Sequence, residues 1–311
     1  MTKILYISGW GRSGTTLLNS LLGQVDGFVS TGELHQIWQR GLIQGRSCGC
    51  GLPLVECPFW RRAFDGGFGG ISAVDAEAAI ASQRNVHTRH ARRVLSALRS
   101  HTLLEKYDYA PYLKKLYTGI ASVDPENTRV IVDSSKYPTD AIVASGLPGF
   151  EVFVLHVVRD PRAVAFSWRR IKNTPDKTAD GGRLRRVGML RSTMVWQFYN
   201  WVIVRYVRRA VGASHFSQLT YEQLAARPEE TLDQVIRLLG ETPAYRPEFD
   251  GNKVEVARSH TASGNPNRFE SGPRTIRLDS EWESKMPSWR KLAVSLLAYP
   301  MITRLRYPWK V

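Results

Sequence analysis

The chain is poor in the features that secreted and membrane proteins rely on. Its 311 residues include only three cysteines, Cys48, Cys50 and Cys57, all in one short stretch. An odd number in so tight a group is not a secreted disulfide framework, and it predicts a reducing, cytoplasmic location. No apolar run approaches the roughly 18 to 20 residues a membrane-spanning helix needs, and Lys3 to Ser8 is too short for a signal-peptide core. Acidic residues are also scarce: 28 Asp and Glu stand against 43 Lys and Arg, for a formal net charge of +15. Such an excess selects an anionic partner, whether nucleic acid, membrane surface or polyanionic small molecule. Internal repeats, nucleic-acid-binding motifs and basic-aromatic platforms are lacking, which sets nucleic acid aside. No Pro/Gly/Ser-rich linker splits the sequence, so residues 1–311 read as one domain, with 43% hydrophobic residues to build its core.

What is present is an alternation of strands and helices. The apolar run Ile4 to Ile7 leads through Gly9-Trp10-Gly11-Arg12-Ser13-Gly14 into Leu17, Leu18, Leu21, Leu22 and Val25 at helical spacing. Val130 to Val132, Val152 to Val158 and Phe216 to Thr220 are further strand-like runs, each ahead of helix-compatible sequence. The pattern predicts an α/β fold, a P-loop-type three-layer sandwich with a central parallel sheet flanked by helices and ligands at the carboxyl ends of the strands. Longer helical patterns cover Asp75 to Leu104, Leu190 to Val211, Pro228 to Leu239 and Ser280 to Leu297. The aromatic stripe Trp196, Tyr199, Tyr206 reads as core. Segments 34–127 and 169–190 read as helical or loop insertions, and 241–279 as largely irregular.

In Gly9-Trp10-Gly11-Arg12-Ser13-Gly14-Thr15-Thr16 the glycines allow tight turns and bring backbone N–H groups toward an anion, with a helix N-terminus aimed at the same point. Against the triphosphate loop G-x-x-x-x-G-K-[ST], the outer glycines and the final threonine match, but Thr15 occupies the lysine position. Arg12 is the local cation. Transfer of a γ-phosphoryl group relies on that lysine and a magnesium ion, so a nucleotide-dependent kinase is the weaker alternative. A basic nucleic-acid-binding protein is weaker still. A second anion site follows from Val154 to Trp168, a buried strand ending at Arg159 and a helix starting near Pro161, with Ser167 about two turns along. Arginine offers phosphate a planar fork of donors and serine adds a hydroxyl.

The loop Gly11 to Thr16, together with Arg159-Asp160-Pro161-Arg162 and Ser167, resembles the sulfotransferases that use 3′-phosphoadenosine 5′-phosphosulfate, in particular the carbohydrate and tyrosylprotein branch. The resemblance implies that Gly11, Arg12, Ser13, Gly14, Thr15 and Thr16 hold the 5′-phosphosulfate and that Arg159 and Ser167 hold the 3′-phosphate. Two further segments match the family: Leu219 to Leu224, and His260 to Arg268, which looks like its late donor-clamping loop. On that likeness Tyr221, Asn265 and Arg268 contact the donor, with Arg274 as a further candidate. The implied activity moves a sulfuryl group to a hydroxyl of a carbohydrate, glycolipid or other small-molecule acceptor.

Such a transfer needs cations at the leaving oxygen and a base for the acceptor proton. Arg12 and Lys136, just past the apolar run Val130 to Val132, are the expected cations, and no metal is required. Glu33 resembles the acid that serves as base in the tyrosylprotein branch, with Asp133 and His35 as rivals. The spacing Cys48-x-Cys50-x6-Cys57 could supply three thiolates to zinc with His35 as a conceivable fourth ligand, but it lacks paired knuckles and reads first as a glycine-rich loop of free thiols. The basic stretch Arg169 to Arg191 reads equally as a lid over an anion or as a solvated insertion. The mixed aromatic and basic segment Tyr299 to Lys310 suits either an anionic membrane surface or a packed tail.

Overall fold

The computed structural model describes residues 1–86, 96, 108–170 and 186–307. Strand β1 (Thr2–Ser8) runs through loop 9–14 into helix α1 (Thr15–Leu22). Strands β2 (Phe28–Gly32), β3 (Val130–Lys136), β4 (Phe150–Val158) and β5 (Phe216–Thr220) complete a sheet of order β2-β3-β1-β4-β5, parallel throughout.

Successive side chains of the central strands alternate between two cores. Ile4, Tyr6, Ile131, Val152 and Val154 face a cluster holding Trp38, Trp60 and Tyr117. Leu5, Ile7, Val130, Val132, Phe153 and Leu155 face the opposite way, onto Leu18, Leu21 and Leu232. Both faces are covered, which is why these strands read as unbroken apolar runs rather than alternating ones. The fold is the expected three-layer α/β sandwich.

Helix Met189–Val202 continues through a π-helical stretch, Ile203–Val207, into Arg208–Val211, matching the periodicity read over Leu190 to Val211. Of the pattern Asp75 to Leu104, the structure describes helix Ala76–Val86, and most of the remainder lies outside the described residues. The segment expected to be irregular holds three short strands, β6 (Phe249–Asp250), β7 (Lys253–Val256) and β8 (Gly272–Thr275), in an antiparallel sheet. Lys253 to Val256 has an alternating burial pattern with Val254 and Val256 inside, a signal of only two apolar residues. Among the described residues no helix is long and apolar enough to cross a membrane.

The chain leaves β1 toward β2 and β3 on one side and later crosses to β4 and β5 on the other. The carboxyl end of β1 is therefore the switch point at which open α/β sheets form their ligand crevice.

Candidate active site

All five strand ends deliver a residue to one crevice. In spatial order these are Glu33 after β2, Lys136 at the end of β3, loop 9–14 after β1, Arg159 after β4 and Tyr221 after β5. Each of these lines a cavity of about 530 Å³, together with Gly11, Arg12, Gly14, Thr15, Thr16, Ser167 and Asn265.

The loop is shaped by close approaches. A Cβ on Gly9 would lie 2.3 Å from the Val157 carbonyl oxygen, and one on Gly14 would lie 2.6 Å from the Tyr221 ring. Gly14 caps α1 in the left-handed conformation, φ 80°, so the first N–H groups of α1 are left for an anion. Ser13 is buried and donates its hydroxyl to the Trp10 carbonyl at 2.8 Å, bracing the turn. Arg12 itself is left-handed, φ 72°, which costs a non-glycine residue roughly 1 to 2 kcal/mol. Its guanidinium lies 4.9 Å from the Trp168 ring. Burial lowers the Arg12 pKa from its ordinary value, Glu33 opposes that effect and Arg170 adds to it.

On the β4 side, Asp160 caps helix Pro161–Arg169 by accepting from the Arg162 N–H at 2.7 Å, and it pairs with the Arg162 guanidinium. Asp160, Pro161 and Arg162 thus build the helix start, leaving Arg159 and Ser167 for the cavity. Arg159 is buried, with Nη1 donating to the Arg12 carbonyl at 3.0 Å and Nη2 to the Asp279 carbonyl at 2.9 Å. Its guanidinium rests 4.2 Å from the Tyr221 ring and pairs with the Asp279 carboxylate at 3.2 Å. Tyr221 is fixed by a capping box in which Thr220 and Gln223 each accept from the other's backbone N–H.

Lys136 and Glu33 form the opposite wall. The register of β3 against β1 slips between Tyr6 and Ser8, and this bulge turns Lys136 into the cavity with φ 76°. Lys136 Nζ donates to Glu33 Oε1 at 2.5 Å and to the Ser134 carbonyl at 3.1 Å. The Lys136 carbonyl in turn accepts from the Gly9 N–H, tying the cation to the start of the loop. Burial alone would raise the Glu33 carboxyl, but Lys136 and Arg40 outweigh it and hold Glu33 below the usual carboxylate range. Both left-handed non-glycine residues of the cavity, Arg12 and Lys136, are its two central cations. Strain of this kind gathers where geometry is dictated by function.

Several of the candidate residues stand outside the cavity lining. Arg268 does not line the cavity: it is buried and donates to the Thr261 carbonyl at 2.8 Å and the Ser47 carbonyl at 2.7 Å, joining two loops. Asp133 and His35, the rival bases, are also outside it. Asp133 accepts from the Tyr117 hydroxyl at 2.8 Å, and burial pushes it up to about 6 against the bonds from Ser135 and Tyr117. His35 Nδ1 is 2.6 Å from Asp140 Oδ2, and its ring stacks on Tyr137. The ligand atoms gathered around Cys48, Cys50 and Cys57 do not include those of His35. Arg274 does line the cavity, paired with Glu270. Met301, Ile302, Leu305 and Tyr307 are buried, so that part of the C-terminal segment is a packed tail. Most of the basic stretch, 171–185, lies outside the described residues.

Sequence reading missed Gln36, Arg40, Tyr137, Trp168, Tyr199 and Asp279, which also line the cavity. Arg40 sits in a π-helical stretch, Ile37–Ile43, for which no sequence signal was available. Tyr199 is buried, as the aromatic stripe predicts, and it borders the cavity as well.

No protein-family model and no curated protein matches this sequence. Solved structures do resemble it. The sulfotransferase domain from the curacin biosynthetic pathway superposes with a TM-score of 0.58 at 18% identity, over 100% of this chain and 99% of that one. The sulfotransferase domain from the Synechococcus PCC 7002 olefin synthase gives 0.56 at 20% identity, over 100% and 96%. The chain therefore has the sulfotransferase fold.

Proposed function

We propose that this protein is a sulfotransferase that takes a sulfuryl group from 3′-phosphoadenosine 5′-phosphosulfate and moves it to a hydroxyl acceptor. The observation that carries the reading is the meeting, at five adjacent strand ends, of a lysine-free phosphate loop, a second arginine-serine anion site and a Lys136–Glu33 pair. The cavity suits such a donor: Arg12 Nε and Arg159 Nε are buried without a partner, and the N–H groups opening α1 are left for an anion.

The bound donor supplies an activated sulfuryl group on a phosphate leaving group. Gly11 to Thr16 would bind its 5′ end through backbone N–H groups and the helix dipole, and Arg159 and Ser167 would take the 3′-phosphate. Arg12 and Lys136 neutralise charge developing at the leaving oxygen. Glu33, ionised at neutral pH, accepts the acceptor's proton. Asn265 and Tyr221 close the nucleotide side of the cavity. The transfer step assigned to these residues uses no metal.

For the acceptor we propose a carbohydrate, glycolipid or other small molecule. The cavity lining also carries Trp10, Trp168, Tyr137 and Tyr199, aromatic faces suited to a sugar ring or an apolar body. The sequence likeness to the carbohydrate and tyrosylprotein branch supports the same class. An exposed stripe on helix Ser288–Arg304, namely Trp289, Leu292, Leu296 and Tyr299 beside Arg290 and Lys291, favours peripheral contact with an anionic membrane. Sedimentation with anionic vesicles that leaves the protein in the supernatant would reject that contact.

The test of the activity is incubation with sulfate-labelled donor and a cell extract, followed by mass analysis. A product heavier by one sulfuryl group is expected. Phosphate transfer from ATP, with no transfer of label, would replace the reading with the kinase.

A further inference from the structure

Three cysteines that look like an incidental loop in the sequence meet a histidine more than 200 residues away. Cys57 Sγ lies 3.3 Å from His260 Nδ1, Cys48 Sγ lies 3.8 Å from the same nitrogen, and Cys50 Sγ lies 3.7 Å from Cys57 Sγ. All four ligand atoms fall within 4.8 Å of one another. Zinc bonds of about 2.3 Å to sulfur and 2.0–2.1 Å to nitrogen, arranged tetrahedrally, place sulfurs about 3.8 Å apart and sulfur and nitrogen about 3.5 Å apart. These three spacings are thus close to those of a four-coordinate zinc site, and the whole set spans no more than about 1 Å beyond them.

The surroundings hold the ligands in place. Cys48 and Cys57 are fully buried, and the His260 ring stacks on Phe59 at 5.1 Å with the planes 5° apart. Cys57 is the N-cap of helix Pro58–Phe68, so its position is fixed by the start of that helix. Gly49, between two of the ligands, approaches the histidine segment so closely that a Cβ there would lie 2.4 Å from Thr261 Oγ1. Gly51, at φ 98°, turns the chain back so that its N–H bonds the Cys48 carbonyl.

We infer that Cys48, Cys50, Cys57 and His260 bind one zinc ion in a closed, structural site. Three thiolates and one imidazole in tetrahedral array select zinc over the harder divalent ions. None of the four ligands lines the cavity, and no coordination position is left for substrate. The ion's role is to clamp loop 46–57 to segment 258–269. That clamp continues the bonds from the Gly49 N–H to the Thr261 carbonyl and from Arg268 to the Ser47 carbonyl. The clamped segment supplies Gly264, Asn265 and Asn267 to the cavity wall, and the Ser263 carbonyl accepts the Glu33 N–H at 2.9 Å. The site thereby sets the backbone position of Glu33. It stands independently of the proposed reaction.

The test is elemental analysis of the full chain purified without chelator, together with X-ray absorption at the zinc edge. About one zinc per chain is expected, with three sulfurs near 2.3 Å and one nitrogen near 2.0 Å. His260→Ala and Cys57→Ser should each lose the metal. Because either variant could fail to fold, the metal-stripped wild type is also titrated with cobalt(II), where intense tetrahedral d–d and thiolate charge-transfer bands are expected. Zinc-free protein that gives no such bands overturns the inference. So does a mass two hydrogens short with two of three thiols unreactive, which would mean a Cys50–Cys57 disulfide.

Discussion

Replacing Glu33 by Gln removes the proposed base while keeping its shape. The side chain of Glu33 is 19% exposed and that of Lys136 13%, so the pair sits in a largely dehydrated wall. The amide keeps an oxygen for Lys136 Nζ, now 2.5 Å away, but it can no longer take a proton. A positioned general base contributes about 10²- to 10⁴-fold, so kcat should fall by that factor, or roughly 2.7 to 5.4 kcal/mol of barrier. Donor affinity should move in the opposite sense or not at all, because the substitution releases Lys136 from its counter-ion and leaves a freer cation facing the phosphates. The assay is initial-rate transfer of labelled sulfate beside calorimetric binding of 3′-phosphoadenosine 5′-phosphate. Because Lys136 and Arg40 hold Glu33 below the usual range, the wild-type acid limb of kcat/KM should lie below about pH 4.3. A Glu33→Gln enzyme turning over within threefold of wild type would refute the assignment of the base.

Arg159→Gln should weaken binding of 3′-phosphoadenosine 5′-phosphate by about 10- to 100-fold, as expected for losing a charged hydrogen bond to phosphate, while binding of a nucleotide without the 3′-phosphate changes little; calorimetry with both ligands separates the two. Asp279, whose carboxylate pairs with both Arg159 and Arg170 at 3.2 Å, occupies an anion's place beside the second site. Asp279→Asn should therefore tighten binding of the same ligand several-fold, and weakened binding would count against Arg159 as the 3′-phosphate residue. His156 is fully buried with Nε2 2.6 Å from Asn200 Oδ1, and burial lowers it to about 4 despite that bond. The unfolded chain then binds more protons, so this contribution is complete above about pH 6.5 and is lost toward pH 4, by roughly 3 kcal/mol. Asp133, held up to about 6, slopes the other way over part of that range. The check is thus the difference in melting temperature between wild type and His156→Gln across the window, and a pH-independent difference would contradict it.

How much was legible differs from element to element. β1, the glycine loop and α1 could be read because an apolar strand buried on both faces, a run of glycines and a 3.6-residue period follow one another within 22 residues. β2 was missed because Phe28-Val29-Ser30-Thr31-Gly32 has only two apolar residues, and as an edge strand it pairs with β3 alone. Arg159 was legible at the end of an apolar strand, and Glu33 only through the family likeness. Arg268 was not, since its motif tells nothing of the Ser47 and Thr261 carbonyls that claim its guanidinium. The fourth ligand of the cysteine cluster was invisible for a similar reason: spacing made His35 the local choice, whereas His260 arrives through tertiary folding and His35 is held by Asp140.

Calorimetric titration of the purified chain with 3′-phosphoadenosine 5′-phosphate tests the central claim most directly. A single saturable site is predicted, displaced by the sulfated donor. Adenosine 5′-monophosphate, which differs only in lacking the 3′-phosphate, should bind at least about tenfold more weakly, since it forfeits the charged hydrogen bonds to that group. Absence of binding at saturating ligand, or equal affinity for the two nucleotides, would contradict the account.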